Sequence, residues 1–513
     1  MKRKSGAQEK ARKRLPTNVE SASDGPVNET PPLSDGSHLD SRVGSHLDFI
    51  SENYLDTDSN TIDSATDGHF NFSSQALLLE SIISPVKLEN FFQDYWEKKP
   101  LILHGEGSKR AAYFKQLFSM KQLRVISKKN SVRFVEDVNC CRYVNGKRES
   151  LNEDGDATVE KINRIFSGLK GTLQFHQPQR FQDELWKIQS NLESLFGCLV
   201  GANVYITPAE SQGLAPHHDD VEVFIFQLEG EKHWRLYKPS LDLPRDYSRD
   251  LSQNEIGDPT HDFILKPGDV MYFPRGTIHQ ADTLSSSTHS THITMSTYQH
   301  NTWGDLLSVM MPNLLEKEMD KNKEFRRGIP GTLITQGISK PNGEHLKMLL
   351  HQLAESIESC DDSSANEMKL DFISNRLPPY HNNTEELQSP KPPMPSNKSS
   401  VRLRFPDHTL IINGNPNDED DSDEEEDDED DGEDEECVYV YHSLQNNRRC
   451  HMMSAEKTKP TGLKFSMDHI EALQQLKTAG NQYIKVKQIK LQDKPRKDML
   501  LSLWSEGLLQ CKE

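Results

Sequence analysis

The chain has 513 residues, room for two or three domains. Only 34% of it is hydrophobic and its mean hydropathy is −0.75, so a sizeable part is expected outside any packed core. No apolar run approaches the roughly 20 residues needed to cross a bilayer, and the start has no signal-peptide apolar stretch, so no membrane partner is expected. The net charge of −20 is misleading: 17 of the 19 residues from Asp418 to Glu436 are acidic, and without them it falls to −3.

In chain order, the N-terminus is basic, with Lys2-Arg3-Lys4 and then Lys10–Arg14, a pattern that reads as a nuclear address. Residues 1–75 are poor in apolar side chains and are expected to form a disordered tail. Order should begin near Ser74, with helical spacing over Leu77–Ile83, a helix from Leu88 running into a strand at Leu101–Leu103, and a helix within Phe181–Val200. From Asn203 to Tyr298 the texture changes. Val204–Thr207, Val221–Leu228, Lys232–Tyr237, Phe263–Leu265, Val270–Phe273 and His292–Tyr298 are short and rich in β-branched or aromatic residues, with turn signals between them, which predicts a sandwich or barrel.

Helical patterns return after Trp303, then at His345–Ile357 and Met368–Asn375, and their apolar side chains exceed what one barrel wall needs, which predicts a homodimer. A linker (381–400) precedes a last domain (401–513), with an acidic insertion (413–436) between two of its strands. Seven scattered cysteines, none at zinc-ligand spacing, fit a reducing compartment, nucleus or cytosol.

Two segments carry the chemistry. The first contains Pro216-His217-His218-Asp219-Asp220. The second is Gly268-x5-Pro274-x-Gly276-x2-His279, a spacing that sets a tight turn, a second bend and a histidine on the next strand. His-x-Asp with a distant histidine can fill one face of an octahedron, leaving cis positions for a bidentate 2-oxo acid and dioxygen. Such a donor set suits iron(II); thiolates would suggest zinc or a cluster. His-x-Asp alone is weak, since it recurs at His38/Asp40 and His46/Asp48 in the tail. His217/Asp219 and His218/Asp220 both fit, and side-chain parity does not choose between them. Lys232, on the next predicted strand, could pair with the distal carboxylate of the 2-oxo acid, although a lone lysine is ordinarily a solvated surface residue.

At these residues the chain resembles the Jumonji-C family and, within it, the ribosomal oxygenases. The resemblance rests on Asn203-Val-Tyr-Ile-Thr-Pro, Asp219-Asp-Val-Glu-Val-Phe-Ile, Gln227-Leu-Glu-Gly-Glu-Lys-His-Trp-Arg-Leu-Tyr, Pro274-Arg-Gly-Thr-Ile-His-Gln-Ala-Asp, Ser296-Thr-Tyr-Gln and Trp303-Gly-Asp. It extends to Arg376-Leu-Pro-Pro-Tyr and Tyr439-Val-Tyr-His-Ser-Leu, and covers the chain from about Ser74. It implies an α+β fold: a double-stranded β-helix (cupin/Jumonji barrel; core 201–300, N-terminal α/β part 76–200) with flanking helices, a helical dimerisation region (301–380) and a C-terminal winged-helix-like domain.

The resemblance implies His217, Asp219 and His279 as iron ligands, with His218 standing where relatives carry a non-ligand tyrosine. It implies Lys232, Tyr205 and Ser296 around 2-oxoglutarate, and Gln174 and Asn203 near the substrate side chain. The implied activity is hydroxylation of a histidine in a large-subunit ribosomal protein, with a role in ribosome biogenesis in the nucleus and nucleolus; iron(II), 2-oxoglutarate and dioxygen are consumed or bound. The alternatives are histone lysine demethylation in chromatin and a non-catalytic cupin scaffold. The substrate is expected to be basic, and direct nucleic-acid binding is not expected of a last domain carrying 17 acidic residues in one loop.

Overall fold

The computed structural model describes residues 70–105, 109–297, 301–357, 365–382, 384–414, 437–453 and 459–513; the basic tail and the acidic run Asp418–Glu436 lie outside them. The strands are β1 (Leu101–Leu103), β2 (Val138–Val144), β3 (Lys147–Ser150), β4 (Thr172–His176), β5 (Val200–Pro208), β6 (Ser211–Gln212), β7 (Val223–Glu229), β8 (Lys232–Tyr237), β9 (His261–Leu265), β10 (Val270–Phe273), β11 (Ile278–Thr283) and β12 (His289–Thr297). They form an antiparallel eight-stranded sheet, β1-β10-β7-β12-β5-β4-β2-β3, and a four-stranded sheet, β6-β11-β8-β9. This is the cupin-like arrangement expected, enlarged by strands β2 to β4, which the sequence pattern did not announce.

Period-two alternation explains how both faces of the large sheet are used. On β7, Phe224, Phe226 and Leu228 join the core shared with the N-terminal helices, where Leu78, Phe91 and Phe114 are buried. Val223 and Ile225 point the other way, into a smaller core with Trp234, Leu236, Met271 and Phe273. Each such side chain, fully buried, contributes about 1.5–3 kcal/mol, and a strand covered on both faces reads as an unbroken apolar run.

Turn chemistry follows the expected spacing. Gly268 has φ +95 and Gly276 φ +86. A Cβ on Gly268 would sit 2.9 Å from the Gly105 carbonyl oxygen, and one on Gly276 2.8 Å from that of Leu241. The buried Asp269 carboxylate closes the first turn by accepting from Gly105 N (2.7 Å) and Lys266 N (2.9 Å).

The first helix among the described residues, Gln75–Ile82, is capped by Ser74, whose hydroxyl accepts from Leu77 N. The helix read within Phe181–Val200 spans Asp183–Phe196 and stops at Gly197, whose φ of +65 suits glycine. After the barrel come helices Trp303–Lys321, Gly331–Gln336, Lys340–Ser356 and Asn366–Asn375. In the first three, only Leu314 and Leu353 are buried, and Trp303 is 73% exposed.

The C-terminal part has its own core, built around Val401, Val440, Leu473, Leu500 and Leu509. It contains β13 (Ser400–Leu403), β14 (Thr409–Asn413), β15 (Cys437–His442), β16 (Thr461–Ser466), β17 (Ile484–Lys485) and β18 (Leu509–Lys512), in sheets β17-β13-β18 and β14-β15-β16, with helices Ile470–Thr478 and Asp493–Ser505. Leu387, within the segment read as a linker, is buried in this core. In the sequence the acidic run lies between β14 and β15, which pair antiparallel as far as Asn413↔Val438.

Arg376 clasps the C-terminal part to the barrel. Its buried guanidinium donates to Asp407 O (2.6 Å), Ser194 Oγ (2.6 Å) and Ser190 O (3.3 Å), while Trp186 Nε1 donates to Pro378 O (2.8 Å). Among the described residues, no helix is long and apolar enough to cross a membrane.

Candidate active site

His217 and Asp219 do not lie on a regular strand. They sit in the loop between β6 and β7, where His217 makes a single bridge to His279 on β11. The two backbones exchange both hydrogen bonds (His217 N to His279 O, 3.2 Å; His279 N to His217 O, 2.9 Å), which aims both rings into the space between the sheets. His217 Nδ1 donates to Ala215 O (2.8 Å) and His279 Nδ1 to Thr277 O (3.0 Å). A carbonyl only accepts, so the proton is fixed on Nδ1 and each Nε2 is left with a free lone pair. These two nitrogens lie 3.7 and 3.8 Å from the Asp219 carboxylate oxygens, and one donor atom from each residue falls within 4.8 Å of the others.

Burial, then the neighbouring His217, pushes the His279 pKa down to about 4, so the ring is a neutral donor at ordinary pH. His218 stands apart: its backbone N donates to Ser248 Oγ (2.9 Å), and it belongs neither to the His217–Asp219–His279 group nor to the cavity lining.

The three residues open into a cavity of about 60 Å³ that Lys232, Tyr205, Trp234 and His292 also line. Lys232 is 3% exposed and its ammonium donates to Thr283 Oγ1 at 3.3 Å. Burial lowers its pKa to about 7, opposed by Asp282. Among the described residues no ion pair reaches it, and a buried cation so placed is costly unless an anion joins it. The cavity therefore offers donors for a metal ion and a cation for a carboxylate.

Comparison with known proteins agrees. The JmjC domain model matches residues 174–301. Ribosomal oxygenase 2 of Bos taurus is 46% identical over 86% of this chain and 92% of its own length. The bifunctional lysine-specific demethylase and histidyl-hydroxylase NO66 of Dictyostelium discoideum is 32% identical over 84% of this chain and 82% of its own. The chain belongs to the ribosomal oxygenases of the JmjC family. It is a 2-oxoglutarate-dependent oxygenase that uses iron(II). Among solved structures, Escherichia coli YcfD, a ribosomal oxygenase in complex with cobalt and 2-oxoglutarate, superposes with a TM-score of 0.43 at 14% identity, over 84% of this chain and 99% of YcfD.

The other anticipated residues of the oxygenase fall on the same in-facing surface, at different depths. Tyr205 lines the cavity, and its hydroxyl accepts from Gln174 Nε2 (2.9 Å). Asn203 Oδ1 lies 3.0 Å from His176 Nδ1. Ser296 lies one in-facing step beyond Thr294, which lines the cavity, so Gln174, Asn203 and Ser296 sit outside the lining rather than in it.

Sequence reasoning missed His292. Its ring stacks on Tyr205 (5.0 Å between centroids, 11° between planes) and meets the edge of Trp234 at 5.4 Å. Burial, then Lys232 and His279, hold its pKa well below the usual value. Its signal was the alternation His292-Ile293-Thr294-Met295-Ser296: a polar row opposite an apolar row that packs on the helices.

Proposed function

We propose that His217, Asp219 and His279 hold the iron, that Lys232 and Tyr205 seat 2-oxoglutarate with Ser296 beside them, and that Gln174 and Asn203 face the polypeptide. The observation that carries this reading is the buried Lys232, which has no ion-pair partner among the described residues, sharing one cavity with three converging metal donors. Iron(II) supplies the activation of dioxygen that couples oxidation of the 2-oxo acid to oxidation of a substrate C–H bond. The chain's own residues do the rest. The Ala215 and Thr277 carbonyls hold both imidazoles in the donor tautomer. Lys232 neutralises and orients the distal carboxylate, and the Trp234 and Phe273 side chains keep the cavity dry.

The substrate we assign is a histidine of a large-subunit ribosomal protein, supported by the names of the relatives and by a basic N-terminal tail suited to nuclear and nucleolar residence. A second reading, histone lysine demethylation, is favoured by the demethylase named among the relatives. Mass analysis separates the two: hydroxylation adds one oxygen to a ribosomal peptide, and demethylation removes a methylene from a methylated histone peptide. Gain of oxygen on neither the ribosomal peptides nor the protein fraction would sink the first reading.

The helices between Trp303 and Asn375 are proposed as the homodimer surface, because Trp303, Ile334 and Leu350 are exposed along them and Ile338 between two of them. Residues 401–513 are proposed as a winged-helix-like domain that binds a basic protein partner rather than nucleic acid; its two helices and short sheets support the first part and the acidic run the second.

A further inference from the structure

The C-terminal part sends one loop, residues 443–453, against the in-facing end of β5. Its anchor is buried. Glu193 is 0% exposed, and one of its carboxylate oxygens accepts from His451 Nε2 (2.7 Å) and Val200 N (3.2 Å), the other from Leu377 N (2.8 Å). His451 Nδ1 accepts from Gln179 Nε2 (2.8 Å), which also donates to Gln177 Oε1 (2.8 Å). Gln177 Oε1 accepts as well from Ala202 N (3.1 Å). At the end of this chain, Gln177 Nε2 points at the Met452 sulfur, 3.9 Å away.

The two residues that meet there are both in the left-handed region, Gln177 at φ +49 and Met452 at φ +55. Non-glycine residues persist in that conformation when the surroundings fix them, and such positions cluster at functional sites. A Cβ on Gly201 would lie 3.4 Å from each of three atoms: Gln177 Nε2, Met452 Cε and Ser296 Oγ. Gly201 pairs with Ser296, Asn203 with Thr294 and Tyr205 with His292 in one continuous register. In-facing residues two apart on a strand are about 7 Å apart, so the row that begins in the cavity at Tyr205 and His292 ends at Met452. Met452 is still 36% exposed, so part of its side chain is open to a polypeptide arriving from outside.

We propose that Met452 is a specificity-determining residue of the oxygenase: its thioether forms the rim over which a polypeptide substrate enters, and the Glu193–His451–Gln179–Gln177 chain positions it. The C-terminal part thereby selects substrate. The contact it offers is apolar, so it favours a small or apolar residue beside the target histidine. The proposal rests on the reading of the cavity as a protein-hydroxylation site.

The test uses the full chain with iron(II) and 2-oxoglutarate, and a set of histidine-centred peptides whose flanking residues are Gly, Leu or Glu. Met452→Glu should raise KM for Gly- and Leu-flanked peptides by about tenfold, while KM for 2-oxoglutarate stays within about twofold. Met452→Leu should restore peptide KM, which a merely structural role would not require if both variants melt like the wild type. Unchanged peptide KM and flank preference in a folded Met452→Glu would overturn the proposal. Wild-type enzyme that oxidises 2-oxoglutarate but hydroxylates none of the peptides would overturn the reading of the site, and the proposal with it.

Discussion

The barrel interior and the helical segment after it solve burial in opposite ways. Inside the barrel, polar groups are buried and aimed: His279 is held by a carbonyl, and Lys232 is buried with its ammonium on the Thr283 hydroxyl and no ion pair among the described residues. In the helices from Trp303 to Ser356, only Leu314 and Leu353 are buried, and Trp303, Ile334 and Leu350 are left exposed among the described residues. An incomplete polar interior calls for a charged ligand, and an incomplete apolar exterior calls for another protein surface. The two halves should therefore fail independently.

The largest effect is expected at the metal end. His217→Ala or Asp219→Ala should abolish 2-oxoglutarate turnover, whereas His218→Tyr should retain it, because His218 lies outside the donor group. Turnover surviving in His217→Ala but lost in His218→Ala would show that the other register binds the metal.

Next comes the far end of the cavity. Lys232→Ala removes a charge-assisted bond at a buried site, about 1.5–3 kcal/mol, and should raise KM for 2-oxoglutarate roughly ten- to hundredfold, more than KM for the protein substrate. The sign of the pH dependence follows from the pKa of about 7. Above that value the free lysine is largely neutral, and a bound dianion raises its pKa, so 2-oxoglutarate binding near pH 8 should take up a proton and weaken as pH rises. Calorimetry in buffers of different ionisation enthalpy reads this directly. Equal proton uptake in Lys232→Met would assign it to another group.

The helical segment should respond in assembly. Ile334→Asp with Leu350→Asp should shift sedimentation from dimer toward monomer at micromolar concentration and leave the barrel's melting transition in place. Wild type that sediments as a monomer would remove the dimer surface.

The smallest effect belongs to the acidic run. β14 and β15, the strands on either side of it in the sequence, already pair with each other, and loop length enters closure entropy only logarithmically, so deleting Asp418–Glu436 should barely move Tm. If the run attracts basic clients, deletion should raise KM for a long basic substrate at low salt and not at high salt. An unchanged low-salt KM would make it an insertion without that role.

The site was legible because its chemistry is local: Gly268, Gly276 and His279 sit at a spacing dictated by turn geometry, and φ at both glycines agrees. The register between His217 and His218 was not legible from parity, because those residues lie in a loop held by one bridge rather than on a strand. Strand β4 was missed because its inward face carries Thr172, Gln174 and His176, so five residues read as a polar loop until β5 and β2 flank them. The contact of Met452 with Gln177 joins residues far apart in the chain, and no local pattern announces it.

The most direct test of the central claim, that this cavity is an iron- and 2-oxoglutarate-dependent protein hydroxylase, is mass spectrometry of large-subunit ribosomal proteins after reaction under isotopically labelled dioxygen. One labelled oxygen on a histidine, matched by succinate and absent in Asp219→Ala, is the predicted result. Unlabelled product, or labelled product that persists in Asp219→Ala, would contradict it.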